Sequence, residues 1–165
     1  MKIREVTLFI FALVLCISCS KRDNYLYVVK ITDGDTFVGL NTNNEQIKIR
    51  IASIDAPEKG QPYGNASKKA LADMIFNKQV RVEIQNTDKY GRAIAMVYTP
   101  DNKDVSAEML KIGMAWHFAK YSNSIYYTEL ETTARHLRCG LWQSSNPIPP
   151  WQWRKMPKEE RNMYR

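Results

Sequence analysis

Acidic residues and arginines concentrate in three short stretches of this 165-residue sequence. The first stretch is DGDT, residues 33–36, the second is RIASIDAPE, residues 50–58, and the third is TDKYGR, residues 87–92. An Asp-Gly pair between strand-like segments is the usual sequence of a tight hairpin turn, which by itself requires no chemistry of the carboxylates. Because each stretch begins or ends a strand-like segment, however, all three can meet at one end of a β-barrel.

Together these side chains match what hydrolysis of a phosphodiester requires. The ester is anionic and attack on phosphorus adds charge, so catalysis depends mainly on positioning and electrostatic stabilisation. Carboxylates and a backbone carbonyl can hold a hard divalent cation against one phosphate oxygen. Two guanidiniums can bind phosphate oxygens in a bidentate manner, and a further carboxylate can deprotonate the attacking water.

The sequence around these stretches predicts a β-rich fold with an inserted helix. Alternating or β-branched residues predict five strands, over residues 25–32, 36–40, 47–54, 79–85 and 93–99. Helical spacing predicts three helices, over residues 66–77, 105–113 and 123–140, with Gly113 and Gly140 as the C-terminal caps of the last two. Five short strands with a helix after the third is the element order of an OB-fold, so we expect an α+β, mainly β protein with a five-stranded barrel.

The strand that carries Arg50 has to bend before it reaches Asp55. Isoleucines alternate with polar residues along this strand, which places Arg50 on the face opposite the isoleucines. A regular strand would put Asp55 on the isoleucine face, so we expect a bend near residues 53–54. Pro57 then ends the strand and leaves Glu58 at a loop entrance that faces water.

In this order and at these separations, the three stretches resemble the motifs of the staphylococcal nuclease (thermonuclease) family, DGDT, R-x-x-x-x-D-x-P-E and T-D-K-Y-G-R. The resemblance covers about residues 25–142. It implies an OB-type barrel with three helices and a calcium-dependent endonuclease that cleaves DNA and RNA to products with a 3′-phosphate. No obligate protein partner is evident, and we expect a monomer.

The resemblance implies a calcium site. Asp35 and Asp55 match the carboxylates that bind the ion, and Ala56 stands where the family offers a backbone carbonyl. Many members have Thr at the position of Ala56, but the carbonyl is common to both residues. Oxygen ligands alone also suit Mn²⁺ or Mg²⁺, so the choice of Ca²⁺ depends on the resemblance.

It also implies roles for residues that contact the substrate. Glu58 matches the proposed general base, and Arg50 and Arg92 match the arginines that clamp the phosphate. Three further residues match contacts to substrate phosphate and nucleotide, namely Lys89, Tyr90 and Tyr121. A second nucleotide-packing tyrosine is expected two residues before Tyr121, where this sequence has Ala119.

The N-terminus has the pattern of an export signal. A basic start followed by an apolar run predicts a signal peptide over residues 1–18, with Cys19 as the first mature residue if the signal is of the lipoprotein type. Two outcomes stay open: a membrane-anchored lipoprotein in the periplasm or on the cell surface, attached through an acylated Cys19, or a secreted protein. The predicted nuclease domain then spans residues 24–142, and residues 143–165 form a Pro- and Trp-containing C-terminal tail whose tryptophans pack back on the domain.

Charge agrees with a polyanionic substrate. The sequence has a net charge of +7. Residues 1–18 contribute one net positive charge, so the mature chain stays at about +6 and attracts phosphates.

Other functions are weighed against the nuclease. A non-catalytic nucleic-acid-binding module can use the same barrel, and an enzyme with this site can act on a different phosphodiester. Binding modules usually lack some of the acids or arginines, and this chain has all of them. His117 and His136 make a poor zinc site because neither has a nearby Cys or a His-x-x-x-His partner. We expect His117 to be packed and His136 to be exposed.

Overall fold

A closed five-stranded barrel is the centre of the computed structural model, which describes residues 24–164. The strands of the chain are β1 Tyr25–Asp33, β2 Thr36–Leu40, β3 Gln46–Ile51, β4 Ile54–Asp55, β5 Gln79–Thr87, β6 Ala93–Tyr98 and β7 Trp116–His117. The barrel closes in the order β1-β2-β3-β6-β5, in which β3 and β6 are parallel and the other neighbouring strands are antiparallel. The predicted OB-type barrel is therefore confirmed.

Helices pack around the barrel; the first lies between barrel strands in the sequence, and the others follow the last barrel strand. The three longer ones are α1 Gly64–Ile75, α2 Val105–Lys111 and α3 Ile125–His136, and shorter ones are the 3₁₀-helix Gly140–Gln143, α4 Pro150–Trp153 and α5 Lys158–Asn162. Asp104 caps α2 by accepting hydrogen bonds from two backbone N–H groups, and Ser124 caps α3 in the same way from one. The element order of five barrel strands with α1 inserted after the third agrees with the sequence.

The core lies inside the barrel because its strands alternate. In β1, Leu26 and Val28 are buried while Tyr25 and Tyr27 are exposed. The same alternation brings Phe37 of β2 and residues of the other strands into one apolar cluster, which α1 and α2 close from outside. Burial of this cluster fixes the register of every strand and therefore the positions of the turns between them.

One helix boundary differs from the prediction. The sequence predicts that the third helix runs to Gly140, but α3 ends at His136 and Gly140 begins the 3₁₀-helix. Arg138, not a glycine, takes the left-handed conformation that ends the helix, with φ of 52°. Gly140 is required for a different reason, because a Cβ there would lie 2.3 Å from the carbonyl oxygen of Gly113. Gly113 itself caps α2 as predicted, with φ of 64°.

The expected bend separates β3 from β4. Ser53 takes a left-handed conformation with φ of 66°, so the strand that the sequence predicts over residues 47–54 stops at Ile51 and resumes at Ile54. After this bend, Asp55 pairs with Trp116 in a separate two-stranded sheet of β4 and β7. The bend is what takes Asp55 away from the barrel interior and towards its end.

Residues 144–164 of the predicted C-terminal tail (from here on, the tail) return to the end of the barrel that carries Asp55. Trp153 is buried, and the Trp151 ring stacks on Phe118 with centroids 5.6 Å apart. Gln61, in the loop after Glu58, donates from Nε2 to the carbonyl oxygen of Ile148 at 2.7 Å. The tryptophans therefore pack on the domain, as the sequence predicts. Within residues 24–164, no helix has the length and apolar character needed to cross a membrane.

Gly34 brings the first hairpin into direct contact with α1. A Cβ at Gly34 would lie 1.9 Å from Oγ of Ser67 and 2.8 Å from Cβ of Ala56. Ser67 is fully buried on α1 and donates from Oγ to the carbonyl oxygen of Met114 at 2.6 Å. The turn, the helix and the segment after β4 are thus packed together without room for a methyl group.

We expect Gly34→Ala to lower the free energy of unfolding by about 1–3 kcal/mol, because overpacking forces the turn or the helix to move. Ser67→Ala alone should cost about 1 kcal/mol through the lost hydrogen bond. The double variant should be less destabilised than the two single changes added together, because removal of Oγ relieves the closest contact. Urea denaturation of the four proteins measures this coupling, and strictly additive effects would contradict the close packing.

Candidate active site

One guanidinium holds two buried carboxylates side by side at the end of the barrel. Nη2 of Arg50 lies 3.1 Å from Oδ2 of Asp35 and 3.0 Å from Oδ1 of Asp55. The side chains of the two acids are 8% and 1% exposed. Nη1 of Arg50 also donates to the carbonyl oxygen of Ile51 at 2.6 Å, which fixes the plane of the guanidinium. Charge pairing of this kind is what allows two carboxylates to be buried together.

Backbone and side-chain donors orient Asp35. The N–H of Ala56 donates to Oδ2 of Asp35 at 2.8 Å, and Oγ1 of Thr36 donates to Oδ1 at 3.0 Å. The backbone N–H of Ala56 is therefore held against Asp35, and the metal site that the sequence predicts for these two residues stays a prediction. Thr36 is a site neighbour that the sequence interpretation did not single out.

Like charges crowd at this point. Burial raises the pKa of Asp55 and the Asp35 carboxylate raises it further, whereas Arg154 and Arg50 oppose these effects. Burial and the nearby Asp35 also raise the pKa of Asp33 to about 7. Asp33 lies behind Asp35 in the turn and accepts a hydrogen bond from its N–H at 3.4 Å. Three acids in so small a space favour a cation among them.

The third motif aims Arg92 at the same group. Nε of Arg92 lies 2.7 Å from Oδ2 of Asp88, and Oδ1 of Asp88 accepts from the N–H groups of Tyr90 and Arg92 at 2.9 and 3.0 Å. Nη1 of Arg92 then lies 3.5 Å from Oγ1 of Thr36, the residue that donates to Asp35. Asp88 thus closes the turn and positions the arginine at once.

Two of the predicted substrate contacts, Lys89 and Tyr90, are exposed beside Arg92, and the third, Tyr121, is exposed elsewhere. Tyr90 is 70% exposed, with Nζ of Lys89 5.1 Å and Cζ of Arg92 5.6 Å from its ring centroid. Tyr121 is 71% exposed and packs edge-on against Phe118 at 4.9 Å. Tyr90 therefore accompanies Arg92, while Tyr121 lies on the side of the tail.

Glu58 is at the mouth of the site, with its side chain 37% exposed, and a guanidinium from the tail contacts it. Nη1 of Arg154 lies 2.6 Å from Oε1 of Glu58 and 3.2 Å from Oδ1 of Asp55, and Nη2 lies 2.7 Å from Oδ2 of Asp55. Sequence reasoning missed Arg154 because it treated the tail as packing alone. The available signal was its place directly after Trp153, a residue that the sequence already predicted to be anchored.

The two histidines lie in different surroundings. His117 is buried and its Nδ1 lies 3.2 Å from Oγ1 of Thr128, while its ring packs edge-on against Tyr127. His136 is exposed. Over residues 24–164, no three His, Cys, Asp or Glu side chains form a metal-binding group. A cation at the end of the barrel would therefore need backbone, water or substrate oxygens beside Asp35 and Asp55.

Comparison with known proteins identifies the family of this chain. Residues 48–144 match the family model described as staphylococcal nuclease homologue. A Haemophilus influenzae protein named an uncharacterized endonuclease is 43% identical over 141 residues, which are 86% of this chain and 79% of the relative. A micrococcal nuclease of Shigella flexneri is 38% identical over 146 residues, 82% of this chain and 83% of the relative.

A plant protein shares the similarity over a shorter region. A staphylococcal-like nuclease of Arabidopsis thaliana is 40% identical over 111 residues, 67% of this chain and 34% of that protein. The chain belongs to the staphylococcal nuclease family. The matched residues include Arg50, Asp55, Glu58 and Arg92, while Asp35 precedes them.

We expect stability to fall as the pH drops because of His117. Burial lowers the pKa of this imidazole, so the unfolded state binds a proton first as the pH falls below the ordinary value of 6.5. Native stability contributed by the neutral ring is present above that pH and is lost below it. Urea denaturation between about pH 8 and pH 5 should give a shallower pH dependence for His117→Gln than for the unmodified protein. His136→Gln is the matched control, and an equal slope in all three proteins would contradict the assignment.

Proposed function

We propose that this chain is an endonuclease that hydrolyses phosphodiester bonds of DNA and RNA with the help of a divalent cation, Ca²⁺, and leaves 3′-phosphate ends. The observation that carries the proposal is the pair of buried carboxylates, Asp35 and Asp55, held together by Arg50 beside Glu58 and close to Arg92. Relatives named as nucleases support the class of reaction. The family resemblance supports the choice of Ca²⁺ and the position of the break.

The donor chemistry of the site fits a hard cation. Asp35 and Asp55 supply carboxylate oxygens, and the family resemblance adds the carbonyl of Ala56, a residue whose N–H is bonded to Asp35. Calcium accepts six to eight oxygen ligands, so waters and a phosphate oxygen would complete its shell, and Mn²⁺ or Mg²⁺ would accept the same donors. When bound, the cation supplies a Lewis acid that neutralises charge developing on the phosphate.

Both arginines retain N–H groups that can bind the phosphate. Arg92 uses Nε for Asp88, and its Nη1 lies 3.5 Å from Oγ1 of Thr36, so its two terminal nitrogens are available as a fork to phosphate oxygens. Arg50 uses Nη2 for the two acids and Nη1 for the carbonyl oxygen of Ile51, so that of its five N–H groups one on Nη1 and the one on Nε remain for phosphate oxygens. Both guanidiniums are held in place by carboxylates before substrate arrives, so little reorganisation is needed when charge grows at phosphorus.

Glu58 is the group placed to take a proton. Its side chain is part-exposed at the mouth of the site, where water can reach it. In the proposed step, a water oxygen attacks phosphorus in line with the 5′-oxygen while Glu58 accepts the water proton. The bond from phosphorus to the 5′-oxygen breaks, that oxygen takes a proton from solvent, and the phosphate stays on the 3′-oxygen. Tyr90 and Lys89 then contact the neighbouring nucleotide from the outer side of the site.

Glu58→Gln tests the role of the base. The amide keeps the shape of the side chain but cannot accept the proton, so kcat on DNA and on RNA should fall by about 10²- to 10⁴-fold. Glu45→Gln, in the exposed turn after β2, is the matched control and should leave kcat unchanged. A calcium chelator should abolish activity of the unmodified protein. If cleavage survives both the chelator and the substitution, the mechanism is wrong; binding of DNA without product would instead identify a non-catalytic module.

The proposed location is outside the cytoplasm. Residues 1–18 and Cys19 lie outside the described residues, so the signal peptide and the acylated cysteine stay predictions from the sequence. Mass spectrometry of the mature protein should find Cys19 at the N-terminus with the added mass of lipid, and the protein should partition into detergent. Cys19→Ser should lose that mass and the partitioning. A mature N-terminus without lipid would indicate secretion, and an intact Met1 would contradict export.

A further inference from the structure

Arg154, a residue of the tail, contacts two acids of the site with its guanidinium. Both terminal nitrogens of Arg154 contact Asp55, one at each carboxylate oxygen, at 3.2 and 2.7 Å. The nitrogen on Oδ1 also contacts Glu58 at 2.6 Å. With Arg50 on Oδ1 as well, both oxygens of the almost fully buried Asp55 carry guanidinium contacts. An ion that binds Asp55 needs at least one of the same oxygens.

The tail around Arg154 is anchored to the rest of the protein. Trp153, the residue before Arg154, is buried, and Trp151 stacks on Phe118. Gln61 joins the tail to the loop of the general base, since it donates to a tail carbonyl at 2.7 Å and accepts from the N–H of Glu58 at 3.0 Å. The backbone of the tail is thus fixed beside Glu58. The Arg154 side chain itself is 43% exposed, so its end can move while the anchor remains.

The net charge of the site indicates how Arg154 affects its affinity for a divalent cation. Among the side chains joined by the ion pairs of Arg50 and Arg154, the three carboxylates of Asp35, Asp55 and Glu58 face two guanidiniums, which leaves one net negative charge. A divalent cation alone would turn this into one net positive charge, whereas the cation together with one phosphodiester would balance it. Without Arg154 the cation alone would balance the site. Arg154 therefore opposes the cation by itself and favours the cation together with substrate.

We propose that Arg154 is a built-in competitor of the divalent cation that couples cation binding to substrate binding. In the structure its guanidinium contacts Asp55 and Glu58. When a cation and a phosphodiester bind together, the guanidinium leaves Asp55 to the cation and contacts a phosphate oxygen. This inference rests on the proposed function, because it concerns the same acids and the same class of ligand.

Calcium titration by calorimetry measures the competition directly and needs no turnover. Arg154→Met removes the charge and retains much of the side-chain length, and we expect it to bind Ca²⁺ about tenfold more tightly than the unmodified protein. Lys155→Met is the matched control, because it removes the same charge from the next, exposed residue. It should leave the affinity for Ca²⁺ unchanged.

A second titration measures the coupling. A deoxynucleoside 3′,5′-bisphosphate serves as the probe, since it offers phosphate groups without a diester to cleave. The probe should tighten Ca²⁺ binding to the unmodified protein, and this gain should shrink by about tenfold in Arg154→Met. Lys155→Met should retain the full gain.

Controls keep failure of this inference separate from failure of the proposed function. Arg154→Lys, which keeps the charge but loses the two-pronged contact, replaces Arg154→Met if that variant does not fold, and should bind Ca²⁺ about threefold more tightly. Equal or weaker Ca²⁺ binding in the Arg154 variant, or an unchanged gain from the probe, overturns the inference while the nuclease stands. If the unmodified protein neither binds Ca²⁺ with the probe present nor cleaves nucleic acid, the proposed function is wrong and the inference falls with it.

Discussion

The arrangement of the site depends on the repulsion between the carboxylates of Asp35 and Asp55, which the neighbouring arginines balance. Two carboxylates with almost no exposure cannot stay ionised together without a cation beside them. Arg50 meets this need on one side and Arg154 on the other. The site therefore combines buried carboxylates, which can bind a cation, with guanidiniums, which can bind an anion such as a phosphate.

The barrel matters to function through its irregular points. A left-handed residue, Ser53, takes the strand out of the barrel so that Asp55 reaches the barrel end. Gly34 lets the first hairpin approach α1 closely enough to place Asp35 beside the peptide of Ala56. Regular strands hold these points in register, because a slip of one residue would exchange the buried and exposed faces.

Much of this architecture could be predicted from the sequence because it follows from local pattern. Alternation predicts the barrel strands, and the bend before Asp55 follows from the conflict between strand period and a charged residue. The predicted end of α3 was wrong, because helices commonly end at a glycine in the left-handed conformation and here Arg138 takes that conformation. Arg154 could not be found by periodicity, since its contact with Asp55 joins residues that are 99 positions apart.

The sequence separation between Arg154 and Asp55 affects which part of the chain contains the whole site. The family match covers residues 48–144, so its limits exclude both the turn that carries Asp35 and the tail that carries Arg154. A fragment cut at those limits would retain Arg50, Asp55 and Glu58 but lose their partners from either end of the chain. The cluster of ion pairs around Asp55 is therefore longer in sequence than the family match, and two segments from outside that match, one on each side, meet at it.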